Sequence, residues 1–220
     1  ERSMNQYKYK LFGRFKGRKK KTIIPKLNTD KYLLDIKKDI NQKNFNILDI
    51  GSGSGENALY LSKKYPDSLI ITCELFEDGN INLTKEIIKN DINNIKLYRG
   101  NVLEFLDKAN VQNIFNEVWI LFPDPWPKIR HHKRRLINNF FLENLYLYIK
   151  ISGKLFIASD SSDYIFSILN NINSNKVLYS WKNQKVELWD YSYLSLPETK
   201  FYKKALKSNR KSMFFELSRI

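Results

Sequence analysis

The chain has few of the residues that build disulfides and metal sites. Its 220 residues include one cysteine, Cys73, and two histidines, His131 and His132, which are adjacent. A single cysteine excludes a disulfide within the chain and any cysteine cluster that binds a metal. Adjacent histidines cannot share one face of a helix, because that requires residues a full turn apart. We therefore expect a site without a metal ion.

Long apolar runs are also missing. No stretch approaches the roughly 20 apolar residues that a membrane-spanning helix requires. The N-terminus is basic but lacks the apolar core of a secretion signal. These absences predict a soluble, cytoplasmic protein without a membrane partner, either a monomer or a homodimer.

Acidic residues are scarce relative to basic ones. There are 38 Lys and Arg against 23 Asp and Glu, a formal net charge of +15. Such an excess favours a polyanionic partner, because cations that neutralise phosphates release counterions. Residues 2–29 contain ten basic residues and no acidic one, with aromatic residues among them. We interpret residues 1–29 as a flexible basic arm that contacts RNA and residues 30–220 as a single domain.

From residue 30 onward, short apolar runs alternate with stretches of helical periodicity. The predicted strands are 45–50, 69–73, 95–98, 118–122 and 154–158, and the predicted helices are 56–65, 81–90, 136–150 and 163–171. Strands that alternate with helices predict an α/β fold with a mostly parallel sheet and helices on both faces. Period-two alternation over 199–205 and 212–217 predicts a C-terminal antiparallel hairpin.

Glycines are few, yet three of the 8 lie directly after the first predicted strand. Gly51, Gly53 and Gly55 define the glycine loop, residues 51–55, in which the backbone turns tightly and approaches a ligand at a helix start. A dinucleotide-binding loop has its third glycine where this chain has Glu56, whose carboxylate would repel a pyrophosphate. The spacing instead fits Rossmann-like methyltransferases, whose donor, S-adenosylmethionine, carries an amino acid and no phosphate.

Polar residues lie at the ends of the first three predicted strands. Ligands of open parallel sheets bind at the carboxyl ends of the strands. We expect Glu74, after the second strand, to accept hydrogen bonds from both ribose hydroxyls of the donor. Asn101, after the third strand, is expected to pair with the adenine edge as donor and acceptor. Asp49, in the first strand, is expected to face the ammonium group of the methionine.

The most distinctive stretch is the proline segment, residues 122–135. Its three prolines fix the backbone and leave Asp124 in a rigid loop at a strand end, near the expected position of the transferred methyl. Trp126 offers a face on which a base can stack. A basic run follows, and because cations are unfavourable at a helix start, we expect it to bind phosphate. This run contains Lys128, Arg130, His131, His132, Lys133, Arg134 and Arg135.

The proline segment resembles the signature of bacterial-type tRNA (guanine-N7-)-methyltransferases. The resemblance extends to residues 12–17, 48–55, 74, 158–160 and 197–201. It implies the class I methyltransferase fold, S-adenosylmethionine as donor, and guanine 46 in the variable loop of tRNA as acceptor. By position it implies cofactor contacts at Asp49, Gly51, Gly53, Gly55, Glu74, Asn101 and Asp124, with Asp124 as the catalytic residue. It implies substrate contacts at Lys128, Asp160, Thr199, Lys200, Phe201 and Tyr202, and RNA contacts along residues 130–135.

Three positions depart from the family pattern. Asp49 stands where the family usually has Glu, which shortens the reach of the carboxylate. Tyr202 replaces the usual Glu after Thr199-Lys200-Phe201, which puts a polar role at this position in question. Residues 76–80 differ from the usual small-residue start of the helix.

The chemistry of the expected acceptor limits what the protein must supply. Guanine N7 carries a lone pair and no proton, so its methylation needs no general base. The protein must align the reactants and stabilise the cationic purine. We expect Asp124 to accept hydrogen bonds from guanine N1–H and the 2-amino group, with Asp160 on the same edge. Drawing the base out of its pairing costs a few kcal/mol.

Two other functions fit parts of the pattern. Asp124-Pro125-Trp126 is similar to the (D/N)-P-P-(Y/W) motif of enzymes that methylate exocyclic amino groups, although that motif has two consecutive prolines. A non-catalytic RNA-binding domain would also explain the basic residues. The position of the methyl group in digested tRNA distinguishes the first alternative from methylation at guanine N7. A rise in melting temperature with S-adenosylmethionine distinguishes an enzyme from a non-catalytic domain.

Overall fold

A computed structural model describes residues 30–40 and 42–220. The predicted basic arm, residues 1–29, lies outside the described residues. Contacts divide the described residues into two compact units, which meet in sequence between residues 109 and 110. Each unit is described by itself below.

The first unit contains three parallel strands in the order β3-β2-β1. Its strands are β1 (Asn46–Ile50), β2 (Leu69–Cys73) and β3 (Ile95–Tyr98), and its helices are α1 (Ile36–Asp39), α2 (Glu56–Lys64), α3 (Glu77–Lys89) and α4 (Val102–Ala109). Every residue of β1 and β2 is buried, as expected for parallel strands covered by other elements. The glycine loop joins β1 to α2, and Glu74 directly follows β2.

The second unit combines one parallel strand pair with two antiparallel pairs. Its strands are β4 (Phe115–Leu121), β5 (Ile149–Ser159), β6 (Tyr179–Trp181) and β7 (Met213–Arg219), and its helices are α5 (Asn139–Tyr146), α6 (Ser162–Ser174) and α7 (Lys200–Lys207). Strand β5 pairs in parallel with β4, and β7 pairs antiparallel with both β5 and β6. A 3-10 helix, Ile129–Arg134, lies within the proline segment.

Most strands form where the apolar runs predict them. The bounds of β2 and β3 are those predicted, and the mostly parallel strands with a C-terminal antiparallel pair confirm the predicted fold class. Within the part of the chain that the structure describes, no helix is long and apolar enough to cross a membrane.

The prediction that residues 199–205 form the first strand of a C-terminal hairpin is wrong. Residues 200–207 form helix α7, and β7 instead pairs with β6. The Thr199 hydroxyl accepts a hydrogen bond from Tyr202 N at 3.1 Å and caps the helix. Tyr202 and Ala205, three residues apart, are its buried residues, which is helical rather than strand spacing.

The predicted helix over 136–150 is also too long. Asn138 caps α5 by accepting a hydrogen bond from Phe141 N at 3.1 Å, and β5 already begins at Ile149. The basic run therefore does not begin an α-helix. It forms the 3-10 helix before α5, so the helix-dipole argument for phosphate binding does not apply to it.

Candidate active site

The glycine loop adopts a conformation that suits glycine. Gly51, Gly53 and Gly55 have φ of 71°, 56° and 89°, in the left-handed region. A Cβ on Gly55 would lie 2.4 Å from Leu83 Cδ1, whereas a Cβ on Gly51 would meet no atom within 4 Å. The loop is therefore packed tightly against α3 on one side and open beside Gly51.

Glu74 joins the glycine loop to the start of α3. Its Oε2 accepts a hydrogen bond from Gly53 N at 2.8 Å, and its Oε1 accepts one from Phe76 N at 2.7 Å. Gly51 N donates to Cys73 O at 2.8 Å, which ties the loop to the end of β2. The carboxylate predicted to bind a ribose is therefore fixed in position by backbone donors on both sides.

Asp49 carries a buried polar atom that the described residues do not satisfy. The residue is 1% exposed, and its Oδ1 accepts a hydrogen bond from Asn57 Nδ2 at 2.9 Å. Its Oδ2 is buried without a hydrogen-bond partner among the described residues. Burial raises the pKa of this carboxyl to about 7, against the Asn57 hydrogen bond and with repulsion from Glu74 and Glu56. A cationic ligand group at Oδ2 would satisfy the atom and favour its ionised form, which fits a donor carrying an amino acid.

Two residues of this site were missed at the level of sequence. A Cβ on Gly79 in α3 would lie 2.3 Å from Gly53 O, so only glycine permits this approach of helix to loop. Asn80 is buried, and its Nδ2 donates to Glu74 O at 3.1 Å and Phe76 O at 3.3 Å. The sequence signal for these residues was Gly79, five residues after Glu74, which lies within the stretch 76–80 that departs from the family pattern.

Asn101 has a structural task at the start of α4. Its Oδ1 accepts a hydrogen bond from Leu103 N at 2.8 Å, and its backbone oxygen accepts one from Phe105 N at 2.9 Å. It is 4% exposed. The amide oxygen thus caps the helix. Because an amide oxygen can accept two hydrogen bonds, the expected pairing of Asn101 with an adenine edge stays a prediction.

The proline segment begins with a strained residue that side chains hold in place. Phe122 has φ of 54°, unusual for a residue with a side chain, and its N–H donates to Ala158 O at 2.8 Å. Its ring contacts Tyr191 and Tyr202, with centroids 5.4 Å and 6.4 Å away. These contacts fix the chain just before Asp124, which is half-buried.

Trp126 is the second strained residue of the segment, with φ of 44°. The Arg134 guanidinium lies over its ring at 5.0 Å, and His131 meets the ring edge-on at 5.9 Å. Partial burial and the neighbouring cations, Arg134 first among them, lower the pKa of His131. Arg134 therefore covers one face of the Trp126 ring, and stacking of a base on this residue stays a prediction.

Arg135 is a structural residue rather than a surface cation. It is 4% exposed, and its Nε donates to Pro125 O at 2.9 Å. Its guanidinium also pairs with the Asp163 carboxylate and lies over the Tyr164 ring at 4.8 Å. The hydrogen bond from Arg135 lowers the pKa of Asp163, so the pair stays ionised. We therefore correct the expectation that Arg135 contacts RNA, since its donors anchor the proline segment to α6.

The other residues of the basic run lie at the surface. Lys128, Arg130, Lys133 and Arg134 are exposed. His132 is half-buried, and its Nε2 lies 3.4 Å from Asp163 Oδ2. No group of three or more His, Cys, Asp and Glu residues suited to a metal ion occurs among residues 30–40 and 42–220. The exposed members remain suited to phosphate contact.

The remaining predicted substrate residues differ in exposure. Asp160 accepts a hydrogen bond from Arg210 Nε at 2.8 Å. Thr199 is buried as the cap of α7, whereas Lys200 and Phe201 are exposed on that helix. Tyr202 is 8% exposed, with its ring centroid 4.5 Å from that of Tyr191. The position where the family usually has Glu is thus part of an aromatic cluster.

Comparisons with known proteins agree with these features. A family model described as "Putative methyltransferase" matches residues 43–215. A tRNA (guanine-N(7)-)-methyltransferase from Wolbachia pipientis wMel is 36% identical over 198 residues, covering 89% of this chain and 85% of that protein.

Solved structures support the fold. The "Structure of an Antibiotic Related Methyltransferase" matches with a TM-score of 0.55 at 20% identity, covering 88% of this chain and 94% of that one. The Streptococcus mutans protein SMU.1697c in complex with SAH matches with a TM-score of 0.52 at 12% identity, covering 81% and 90%. At such identities the likeness shows a shared fold, whereas the sequence matches reach further. The chain belongs to the family of the tRNA (guanine-N(7)-)-methyltransferases.

Proposed function

We propose that this protein transfers a methyl group from S-adenosylmethionine to N7 of a guanine in tRNA, at position 46 of the variable loop. Residues 30–220 would carry the reaction in the cytoplasm, with residues 1–29 as an RNA-binding arm. The observation that carries the proposal is the buried Oδ2 of Asp49, which lacks a hydrogen-bond partner among the described residues, next to a glycine loop tied to Glu74. Family membership identifies the reaction.

The first unit offers groups that match the parts of the donor. Asp49 Oδ2 suits the ammonium of the methionine portion, and the open side of Gly51 leaves room for it. Each Glu74 oxygen accepts a backbone hydrogen bond. A carboxylate oxygen can accept two such bonds, so the group also suits a ribose hydroxyl. The SAH complex of the fold neighbour SMU.1697c supports this choice of donor.

The second unit offers a carboxylate suited to the acceptor. The donor supplies an electrophilic methyl group on a sulfonium, and N7 attacks it with a lone pair, so no proton leaves N7. Asp124 would accept hydrogen bonds from N1–H and the 2-amino group and stabilise the positive charge on the purine. The contacts of Phe122 with Tyr191 and Tyr202 and the Arg135–Pro125 hydrogen bond keep this carboxylate in position before the base arrives.

The exposed basic residues supply the affinity for RNA. Lys128, Arg130, Lys133 and Arg134 lie in one exposed turn, with no acidic residue between 125 and 142. Their contacts with phosphate would offset the cost of drawing the guanine out of its tertiary pairing.

The test is incubation with methyl-labelled S-adenosylmethionine and unmodified tRNA transcript, followed by nucleoside analysis. We expect label in 7-methylguanosine, and no label in a transcript whose guanine 46 is replaced by adenine. Label in an amino-methylated base would instead indicate the exocyclic-amine reaction. No label, and no rise in melting temperature with the donor, would indicate a non-catalytic RNA-binding domain.

A further inference from the structure

A polar groove lies between the 3-10 helix of the proline segment and α6. Its volume is about 300 Å³, and the side chains of α6 form one wall of it. This wall consists of Asp163, Phe166, Ser167, Asn170 and Asn171, which lie on one face of the helix because their spacing follows helical turns. The opposite wall includes His132 and Arg135.

The α6 wall carries side chains that the fold does not use. Phe166 is 69% exposed, so its ring is accessible to a ligand. No hydrogen bond of the Asn170 side-chain amide to another residue occurs within the described parts of the chain. Ser167 and Asn171, by contrast, are joined by a hydrogen bond from Asn171 Nδ2 to Ser167 O at 2.7 Å. An exposed ring and an amide without a partner, one turn apart beside a groove, suit a planar ligand with polar edges.

The charges around the groove narrow the class of ligand. Exposed Lys133 and Arg134 are the chain neighbours of the groove residues His132 and Arg135, so two cations lie beside the groove in the sequence. The Asp163 side chain is 63% exposed although its Oδ2 pairs with Arg135. A carboxylate inside the groove repels phosphate but accepts hydrogen bonds from amino groups of bases. The groove thus combines an interior for a base with a rim for a phosphate.

We propose that this groove binds a second nucleotide of the tRNA, outside the methylated guanine. Its base stacks on Phe166, Asn170 and Asp163 contact the base edge, and Lys133 and Arg134 contact the flanking phosphates. The volume of about 300 Å³ suits a single nucleotide. The inference rests on the proposed function for the identity of the RNA.

Photocrosslinking tests the contact directly. The photoreactive residue p-benzoylphenylalanine replaces Phe166 in one variant and Phe140 in the control. Phe140 is 61% exposed on α5 and does not line the groove. We expect the Phe166 variant to crosslink unmodified tRNA at one nucleotide other than the methylated guanine, and the control to give background. Crosslinking of the Phe166 variant no stronger than the control, or crosslinking to the target guanine itself, would overturn the proposal.

Binding of the same tRNA measures the contribution of the groove. Phe166→Ala and Asn170→Ala should each raise the Kd for tRNA, by about tenfold for Phe166→Ala, because one stacked base is lost. Turnover at saturating tRNA and donor affinity should stay unchanged, and Phe140→Ala should behave as wild type. An unchanged Kd in both groove variants would contradict the proposal.

The two proposals fail separately. If the wild-type protein methylates tRNA, but the Phe166 variant gives no crosslink and the groove variants keep wild-type affinity, the proposed reaction stands and the proposed groove contact is wrong. If position 166 crosslinks tRNA but no 7-methylguanosine forms, the proposed groove contact stands and the proposed reaction is wrong.

Discussion

The glycine loop and the proline segment both follow buried strands, and both contain left-handed backbone. In the glycine loop the left-handed residues are glycines, which adopt φ of 56° to 89° without a steric cost. In the proline segment they are Phe122 and Trp126, each of which costs about 1–2 kcal/mol in this conformation. A hydrogen bond from Gly53 N to the Glu74 carboxylate fixes the glycine loop. Ring contacts of Phe122 and a hydrogen bond from the buried Arg135 to Pro125 O fix the proline segment.

The two loops should therefore be sensitive to opposite kinds of substitution. The glycine loop depends on the absence of side chains, so adding a methyl group should harm it. The proline segment depends on the side chains around it, so removing one should harm it even where that side chain lies far along the sequence. Four predictions follow from this contrast, in order of decreasing expected effect.

Tyr202→Ala should have the largest effect on stability. It removes a buried ring from the cluster with Phe122 and Tyr191, and we expect the free energy of unfolding to fall by about 3 kcal/mol. Turnover should also fall, because Phe122 loses a contact that holds it in the left-handed region. Urea denaturation and single-turnover rates measure both effects. Tyr202→Phe keeps the ring and should match wild type; an equal loss in Tyr202→Phe would show that the hydroxyl, not the packing, matters.

Gly55→Ala should destabilise the first unit by roughly as much. The new Cβ would lie 2.4 Å from Leu83 Cδ1 at a φ of 89°, so steric clash and a left-handed alanine together cost about 2–3 kcal/mol. Gly51→Ala is the control, because its Cβ meets nothing within 4 Å. It should cost about 1 kcal/mol and mainly weaken binding of the donor. Thermal unfolding with and without S-adenosylmethionine separates the two results, and equal melting temperatures for both variants would refute the packing argument.

Arg135→Ala should affect stability, whereas Arg134→Ala should affect tRNA binding. Loss of the buried Arg135 removes its hydrogen bond to Pro125 O and its packing on Tyr164, which we expect to lower the free energy of unfolding by about 2 kcal/mol. Arg134→Ala should leave stability nearly unchanged and reduce the salt dependence of tRNA binding by about one phosphate contact. Denaturation and binding at several salt concentrations measure the two. A reduced salt dependence in a stably folded Arg135→Ala protein would restore its assignment as an RNA contact.

Asp49 should make donor binding depend on pH. Burial raises its pKa to about 7, so the carboxyl is mostly protonated at pH 6 and ionised at pH 8. Affinity for the cationic donor should therefore rise with pH across this range, by about tenfold. The protein without ligand should lose stability as pH rises from about 4 to about 7, because the folded state binds the proton more tightly. Calorimetric titration measures the first effect. Asp49→Asn should remove both, and a pH dependence that persists in it would exclude Asp49 as the source.

The strands were predictable from the sequence because their burial is continuous, as in β2, or alternates, as in β3. Leu69–Cys73 and Ile95–Tyr98 have the predicted bounds. Helix α4 was missed although Val102, Phe105, Leu106 and Ala109 show helical spacing, so the signal was present. Strand β6 has three residues, too few for any period to appear. The sequence predicts a strand at the position of helix α7, because alternation over so short a stretch also fits a capped helix.

The site was predictable where motif residues carry the chemistry, and not where packing decides. Glu74 was expected to end β2, but its bonds to Gly53 N and Phe76 N could not be read from the chain. The burial of Arg135 depends on Asp163, 28 residues away, and no local pattern distinguishes it from its exposed neighbour Arg134. The Tyr202 cluster likewise depends on Tyr191 and Phe122, which only the fold brings together.

We infer that the glycine loop binds the donor and that the proline segment supports the chemistry. One paired measurement tests it: calorimetric titration with S-adenosylhomocysteine, together with single-turnover methylation of tRNA at saturating donor, in Glu74→Gln and Asp124→Asn. We predict that Glu74→Gln weakens ligand binding by about tenfold or more and largely keeps its rate at saturation. Asp124→Asn should lose methylation by about 100-fold or more, a far larger loss than any in its ligand binding. Normal methylation by Asp124→Asn, or undiminished ligand binding by Glu74→Gln, would contradict this account.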